Sequence, residues 1–263
     1  MSITLPVHSL GYAALTVAGR VRPHNEDAIL CCPSLQLWAV ADGMGGHQRG
    51  EVASALAVKT LRRLSQRGAG LGEAVHGANA AILAAAAADE ASHGMGTTLV
   101  AVRFSGVDFE VAWAGDSRAY RVGAAAIERL TRDHSLVQAL VDAGQLTAEQ
   151  ASRHPRRNVV TQCLGRAEEE LTVDLVQGTL GHGELLLLCS DGLTGELSDA
   201  RIQQICAEAD TLDALVSQLV ETANREGGRD NISCIVLGLA AAAPVASEAP
   251  RGLFDKLFKT AKS

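Results

Sequence analysis

Aromatic side chains are scarce in this sequence: two Trp, two Tyr and four Phe among 263 residues, 3% of the whole. A core here must be filled by small and aliphatic groups, so closely packed backbones are expected rather than large side-chain plugs. Lysine is scarcer still, at 4 of the 23 basic residues, and the formal charge is −7. That balance argues against a nucleic-acid binder, which needs positive charge to displace counterions from phosphates. No apolar run approaches the ~18–20 residues of a membrane span. The first ten residues, MSITLPVHSL, lack the basic start and apolar middle of an export signal. A cytoplasmic protein without a membrane span is the expectation. None of the six cysteines forms a C-x-x-C pair, which favours reduced thiols over disulfides or a zinc site.

Hydrophobic residues make up 47% of the chain, enough for a sizeable core in one or two domains. Strand-like segments fall near 11–18, 28–41, 98–104, 109–115, 118–123, 171–177, 184–189 and 231–239. Leu171, Val173 and Leu175 alternate with Thr172 and Asp174 as a half-buried strand does. Leu212, Leu215, Val216, Leu219, Val220 and Ala223 instead follow the helical period and form one apolar stripe. Alanine-rich 50–66 and 72–91 read as a helix pair by propensity. Many strand pairs are joined by too few residues for a parallel crossover, so an α+β fold with antiparallel sheets covered by helices is predicted. A domain over 5–240 is expected, then a flexible linker at 241–250 and a short basic segment at 251–263. In that last segment Leu253, Phe254, Leu257 and Phe258 share a helical face. A disordered tail and a peripheral membrane or partner contact are both open readings.

The stretch LQLWAVADGMGG raises the functional question, because a core-type strand reaches an aspartate followed by glycines. The pattern recurs. Asp42, Asp116, Asp191 and Asp230 stand at strand ends with glycine within two residues, and Glu26 and Asp27 open another strand. Each alone reads as an ordinary turn residue. Together they suggest convergence, because LWAVAD and ELLLLCSD are the most apolar strands and their ends should meet in a core sheet. Carboxylates a few ångströms apart repel by about 4 kcal/mol per pair at an effective dielectric of ~20, so a cation is needed among them. All-oxygen donors select Mg²⁺ or Mn²⁺ over zinc. Arg20 and Arg22 precede the acidic pair; an arginine there suits either an ion pair or a phosphate dianion.

The motifs R-x-x-N-E-D at 22–27, DGMGGHQRGEVAS at 42–54, GTT at 96–98, GDSRAY at 115–120, DHS at 133–135, SDGL at 190–193 and RDN at 229–231 occur in that order. In this the chain resembles the metal-dependent type-2C (PPM) serine/threonine protein phosphatases in their bacterial form, over roughly 10–238. The resemblance implies a four-layer α-β-β-α sandwich, two central antiparallel sheets flanked by helix pairs. It implies two Mn²⁺ or Mg²⁺ ions and a weaker third. Asp42 would bridge the first two, the Gly43 carbonyl would bind one, and Asp191 and Asp230 the other. Glu26 and Asp27 would act through bound water, Asp116 with Asp191 would serve the third ion, and Arg22 would hold the phosphate. Arg20 does not match the phosphate position.

The reaction implied is direct in-line attack of a bridging hydroxide on phosphoserine or phosphothreonine. The implied partners are phosphoproteins, a bacterial-type serine/threonine kinase and that kinase's substrates. Neither a C-x₅-R loop nor any Gly-Lys pair occurs, which disfavours cysteine phosphatases and P-loop hydrolases. Many eukaryotic members carry a histidine, assigned as general acid, where this chain has Met44. His47 is a candidate for that role, beside a capping or solvated one. Segment 142–165 matches the family's flap, and its Arg153, Arg156 and Arg157 suit either an acidic phosphopeptide or a plain solvated loop. Two further functions stay open: a catalytically silent phosphoprotein adaptor and a hydrolase of small phosphate esters.

Overall fold

A computed structural model of the protein describes residues 10–45, 49–89, 94–167 and 170–239. His47, the 241–250 linker and the 251–263 segment lie outside the described residues. In chain order, β1 (Leu10–Val17), β2 (Asp27–Cys32) and β3 (Leu37–Met44) lead to α1 (Arg49–Ser65) and α2 (Leu71–Ala88). Then come β4 (Gly96–Thr97), β5 (Leu99–Ser105), β6 (Asp108–Ala114), β7 (Arg118–Val122) and β8 (Ile127–Arg129). Helices α3 (Leu136–Asp142) and α4 (Ala148–Ser152) precede β9 (Asp174–Thr179) and β10 (Leu185–Cys189). The chain closes with α5 (Asp191–Thr194), α6 (Asp199–Glu208), α7 (Leu212–Glu226) and β11 (Ile232–Leu239).

The strands form two antiparallel sheets, one ordered β1-β11-β10-β7-β8 and the other β2-β3-β5-β6-β9 with β4 paired to β3. Strand alternation sends one face of each sheet inward and the other toward helices, and three apolar layers result. Trp38, Val40, Val100, Val111, Leu186 and Ile235 fill the space between the sheets. Ala53, Ala57 and Leu61 of α1 and Ala74, Val75 and Ala78 of α2 pack on Leu37, Ala39 and Ala101. On the opposite side Leu215, Val216, Leu219 and Val220 of α7 cover Leu187, Cys234 and Val236. The expected helix–sheet–sheet–helix order is what the chain adopts.

The sparse aromatics explain the closeness of this packing. Alanines along α1 and α2 let the helices approach, and a Cβ at Gly77 would meet Leu64 Cδ1 at 2.2 Å. Helix α7 begins where Thr211 Oγ1 accepts the Ala214 N–H at 3.1 Å, and its predicted stripe is the buried one. Burial of four Leu and Val side chains on that stripe contributes roughly 1.5–3 kcal/mol each. Of the six cysteines, Cys32, Cys163, Cys189 and Cys234 are buried, and Cys31 and Cys206 are half-buried.

Several expectations need correction. The run 28–41 is two strands, because Pro33 starts a 3-10 turn and Gln36 takes a left-handed φ of 50° before β3. Strand β3 does not stop at Asp42 but continues to Met44, leaving β5 and pairing with β4 through Gly43 opposite Thr97. The ends of β3 and β10 do meet, but from two facing sheets rather than one. Strand β9 starts at Asp174, not 171; Leu171 and Val173 pack on the α1–α2 layer from the preceding coil. Helix α2 ends at Ala88, where Asp89 turns to extended backbone.

Candidate functional site

Register decides which residues meet. Asp27 at the start of β2 stands directly opposite Asp42 near the end of β3. Cys189 at the end of β10 pairs with Cys234 near the start of β11 and with Arg118 at the start of β7. Asp191, Asp230 and the β6–β7 link carrying Asp116 therefore lie at one end of the first sheet. The two sheets are stitched there by the Ser190 hydroxyl, which donates to Asp27 Oδ2 at 2.9 Å and accepts the Ser233 N–H at 3.0 Å.

Hydrogen bonds to the backbone hold Asp42 and Glu26. The Asp42 carbonyl accepts from Thr97 Oγ1 and from the Thr98 N–H, both at 2.9 Å, and the Asp42 N–H donates to Thr98 Oγ1 at 3.2 Å. Gly43 faces Gly50 of α1 so closely that a Cβ would come within 2.2 Å of the Gly50 carbonyl oxygen. Only glycine lets that helix approach the Gly43 peptide and the Glu26 carboxyl. The Gly192 position is equally tight, 1.9 Å from the Asn231 carbonyl oxygen for an added Cβ. Asn231 ties the remaining loop: its Oδ1 accepts the Glu26 N–H at 2.8 Å, and its amide donates to the Ala18 and His24 carbonyls. Arg22 rides on that loop and donates to Asp230 Oδ2 at 2.7 Å, with 53% of its side chain exposed.

The electrostatic consequence is crowding of like charge. Burial pushes the Asp27 carboxyl up to about 7, with Asp191 and Asp230 adding to the shift against hydrogen bonds from Ser233 and Ser190. Asp42 is raised well above the carboxylate range by burial, then by Asp27, Asp191, Asp116 and Asp230. Asp116 is raised by burial, Asp191 and Asp133, and Asp191 by burial and Asp230. Asp27, Asp42, Asp116 and Asp191 are thus each raised in part by other acids at this end. Yet among the described residues no three His, Cys, Asp or Glu side chains are already drawn into a metal-holding group. Anions do not close up by themselves, and Arg22 occupies one Asp230 oxygen.

The donor set nonetheless suits a hard divalent ion. It is all oxygen, and Asp27 Oδ1 is a buried acceptor with no hydrogen-bond partner among the described residues. Of the nine candidates named from sequence, eight cluster at this end, namely Arg22, Glu26, Asp27, Asp42, Gly43, Asp116, Asp191 and Asp230. The ninth, His47, is outside the described residues.

Two clefts open beside the carboxylates. One of about 380 Å³ is lined by Asp116, Arg118, Val137, Val141, Arg157 and Asp191 among others, and a smaller one of about 50 Å³ by Arg157, Asp191, Arg229 and Asp230 among others. Arg157 lines both, whereas Arg153 pairs with Glu149 at 3.3 Å. A larger hollow of about 520 Å³ sits at the far β5–β6 hairpin around Phe104, Phe109 and Thr179, away from the acids. Sequence reasoning missed the supporting residues Thr98, Ser190 and Asn231. It also missed Arg118, whose guanidinium grips Asp133 through Nε at 2.9 Å and Nη2 at 2.6 Å. The signal for them was present in GTT, SDGL, RDN and GDSR, where each lies within two residues of a motif acid or glycine.

The fold and site together define the class as a four-layer sandwich with an all-oxygen set of acids gathered at one end of both sheets. Comparison with known proteins narrows this class. The family description "Protein phosphatase 2C" matches residues 20–236. The serine/threonine protein phosphatase PstP of Mycobacterium tuberculosis is 37% identical over 233 residues, 86% of this chain and 44% of that protein. The serine/threonine phosphatase stp of Listeria innocua is 35% identical over 235 residues, 84% of this chain and 93% of that protein. The crystal structure of a PstP catalytic domain with two manganese ions superposes with a TM-score of 0.78 at 35% identity, covering 88% of this chain and 99% of that one. The chain belongs to the protein phosphatase 2C family. It spans less than half the length of the Mycobacterium relative it matches.

Proposed function

We propose that this protein is a Mn²⁺- or Mg²⁺-dependent phosphatase of phosphoserine and phosphothreonine proteins, acting in the cytoplasm against a serine/threonine kinase. The catalytic unit is the domain at 5–240. Family membership, relatives named as serine/threonine phosphatases and the manganese complex of one of them support the reading. The observation that carries it is the meeting of Asp27, Asp42, Asp116, Asp191 and Asp230 at one end of two facing sheets, where burial and neighbouring acids raise the first four.

Asp42 and the Gly43 carbonyl would hold one ion, with Asp42 shared to a second held by Asp191 and Asp230; Asp116 with Asp191 would hold a weaker third. When bound, such ions neutralise phosphoryl charge and acidify water toward a pKa of ~7. Glu26 and Asp27 orient water through their carboxylates, with Asp27 fixed by the Ser190 hydroxyl. Arg22 exchanges its bond to Asp230 for the phosphate oxygens, because a guanidinium fork fits that dianion. The Gly50 contact keeps α1 against the Gly43 peptide and holds its carbonyl in place. Met44 has no proton to give, so protonation of the leaving oxygen falls to His47 or to solvent.

The test is turnover of p-nitrophenyl phosphate and of phosphoserine peptides with Mn²⁺, with chelator, and in Asp191→Ala. Activity should need metal and should collapse in the variant. Metal-independent turnover overturns the mechanism, and full activity in Asp191→Ala overturns the site. Preference for small metabolites over phosphopeptides overturns the substrate class.

A further inference from the structure

The Gly115–Asp116 corner has a second hold, and it comes from His134. Gly115 sits at φ +114°, and a Cβ there would meet the Thr98 side chain at 2.6 Å, so the corner is pressed against the residue that also anchors Asp42. The Gly115 N–H donates to His134 Nδ1 at 3.2 Å, while the His134 N–H donates back to the Gly115 carbonyl at 2.9 Å. An accepting Nδ1 carries no proton, so the ring hydrogen is on Nε2 and points to Asp174 Oδ2 at 3.2 Å. The ring is 13% exposed and stacks on Trp113 at 6.3 Å between centroids, with the planes 26° apart. The His134 carbonyl accepts the Thr161 N–H at 2.8 Å, and the next residue, Ser135, bridges to Val160. One residue thus joins the Asp116 corner and the start of β9 through its imidazole, and the base of the segment carrying α3 and α4 through its backbone.

We propose that His134 is a positioning residue for Asp116. Its Nδ1 fixes the Gly115 peptide, Asp174 fixes the tautomer, and the carboxylate one residue on is thereby aimed into the cleft. The inference rests on the phosphatase reading for its kinetic consequence, but the hydrogen bond itself is independent of that reading. Residues that orient a ligand from behind change metal affinity or activity by about 10–100-fold when removed.

Two substitutions separate the hydrogen bond from the packing. His134→Phe keeps a stacked ring and loses both nitrogens; His134→Asn loses the ring but retains an acceptor near the Nδ1 position. The expected result is a kcat lowered about tenfold or more in His134→Phe with KM for p-nitrophenyl phosphate little changed, weaker Mn²⁺ binding by calorimetry, and recovery of both in His134→Asn. In the unsubstituted chain without metal, the Gly115 amide should exchange slowly with solvent and the ring nitrogen spectrum should show an unprotonated Nδ1. A fully active His134→Phe, or a His134→Asn no better than it, overturns the proposal. If both variants unfold, the amide and ring spectra decide it, and a fast-exchanging Gly115 amide or a protonated Nδ1 overturns it. Absence of phosphatase activity in the unsubstituted chain would overturn the functional reading instead, leaving those spectra to judge the hydrogen bond.

Discussion

Replacing Asp42 by asparagine should stabilise the metal-free protein while abolishing its response to metal. Asp42 stands directly opposite Asp27 across the β2–β3 pair. Facing side chains in such a pair have Cβ atoms ~4.5–5.5 Å apart. At ~5.5 Å and an effective dielectric of ~20, two unit charges repel by about 3 kcal/mol. Asp191, Asp116 and Asp230 raise the Asp42 pKa further, in the same sense. An uncharged amide removes this repulsion, and part of the gain is lost if the buried amide is imperfectly paired. A net gain of about 2 kcal/mol corresponds to a rise in Tm of roughly 4–8 °C for a domain of this size.

The pH dependence follows from the direction of the shifts. Carboxyls with raised native pKa values bind more protons folded than unfolded, so their contribution to metal-free stability is greatest at low pH. It declines as pH rises from the ordinary aspartate value through the raised ones, Asp27 at about 7 among them. Asp42→Asn should therefore gain little near pH 5 and most near pH 8. Added Mn²⁺ at 100 times its Kd should stabilise the parent by about 2.7 kcal/mol and the variant far less. Thermal melts in chelator and in Mn²⁺ at both pH values read all four quantities. A variant less stable than the parent in chelator at pH 8, or equally stabilised by Mn²⁺, refutes the reasoning.

Other outcomes follow from the same geometry. Gly50→Ala places a methyl 2.8 Å from the Gly43 carbonyl oxygen, so it should cost about 1–3 kcal/mol in denaturant melts and weaken Mn²⁺ binding; an unaffected variant would mean that α1 can retreat. Arg22→Ala removes a pair whose side chains are 53% and 32% exposed, so stability should change by less than about 1 kcal/mol. Inhibition by inorganic phosphate should weaken markedly in the same variant, and unchanged inhibition would remove Arg22 from the phosphate site. Leu219→Ala empties a fully buried position under α7 and should cost about 2–5 kcal/mol, with turnover at low temperature retained.

How much of this was legible in the sequence varied with the range of the forces involved. Helix α7 was readable because its stripe is a local periodic signal and Thr211 marks its start. The alternation around Leu171 was equally visible, but the onset of β9 was not. Pairing of Trp113 with Asp174 sets that onset, and it comes from a strand distant in sequence. Strands β2 and β3 merged into one apolar run because Pro33 and the left-handed Gln36 leave little mark between two hydrophobic stretches. The acids announced themselves through adjacent glycines, whereas their supports are ordinary Ser, Thr and Asn residues. Ser190, which stitches the two sheets, was marked only by its place before the aspartate of SDGL. Likewise, which arginine of 142–165 lines the clefts depends on how that segment folds beside Asp191, and among its described residues Arg157 is the arginine that lines both.

The most direct measurement is a crystal of the full chain grown with Mn²⁺ and recorded at the manganese absorption edge. Two strong anomalous peaks should lie among Asp42, Asp191, Asp230 and the Gly43 carbonyl. Peaks elsewhere on the molecule, or none among these residues with Mn²⁺ present in excess, would contradict the account.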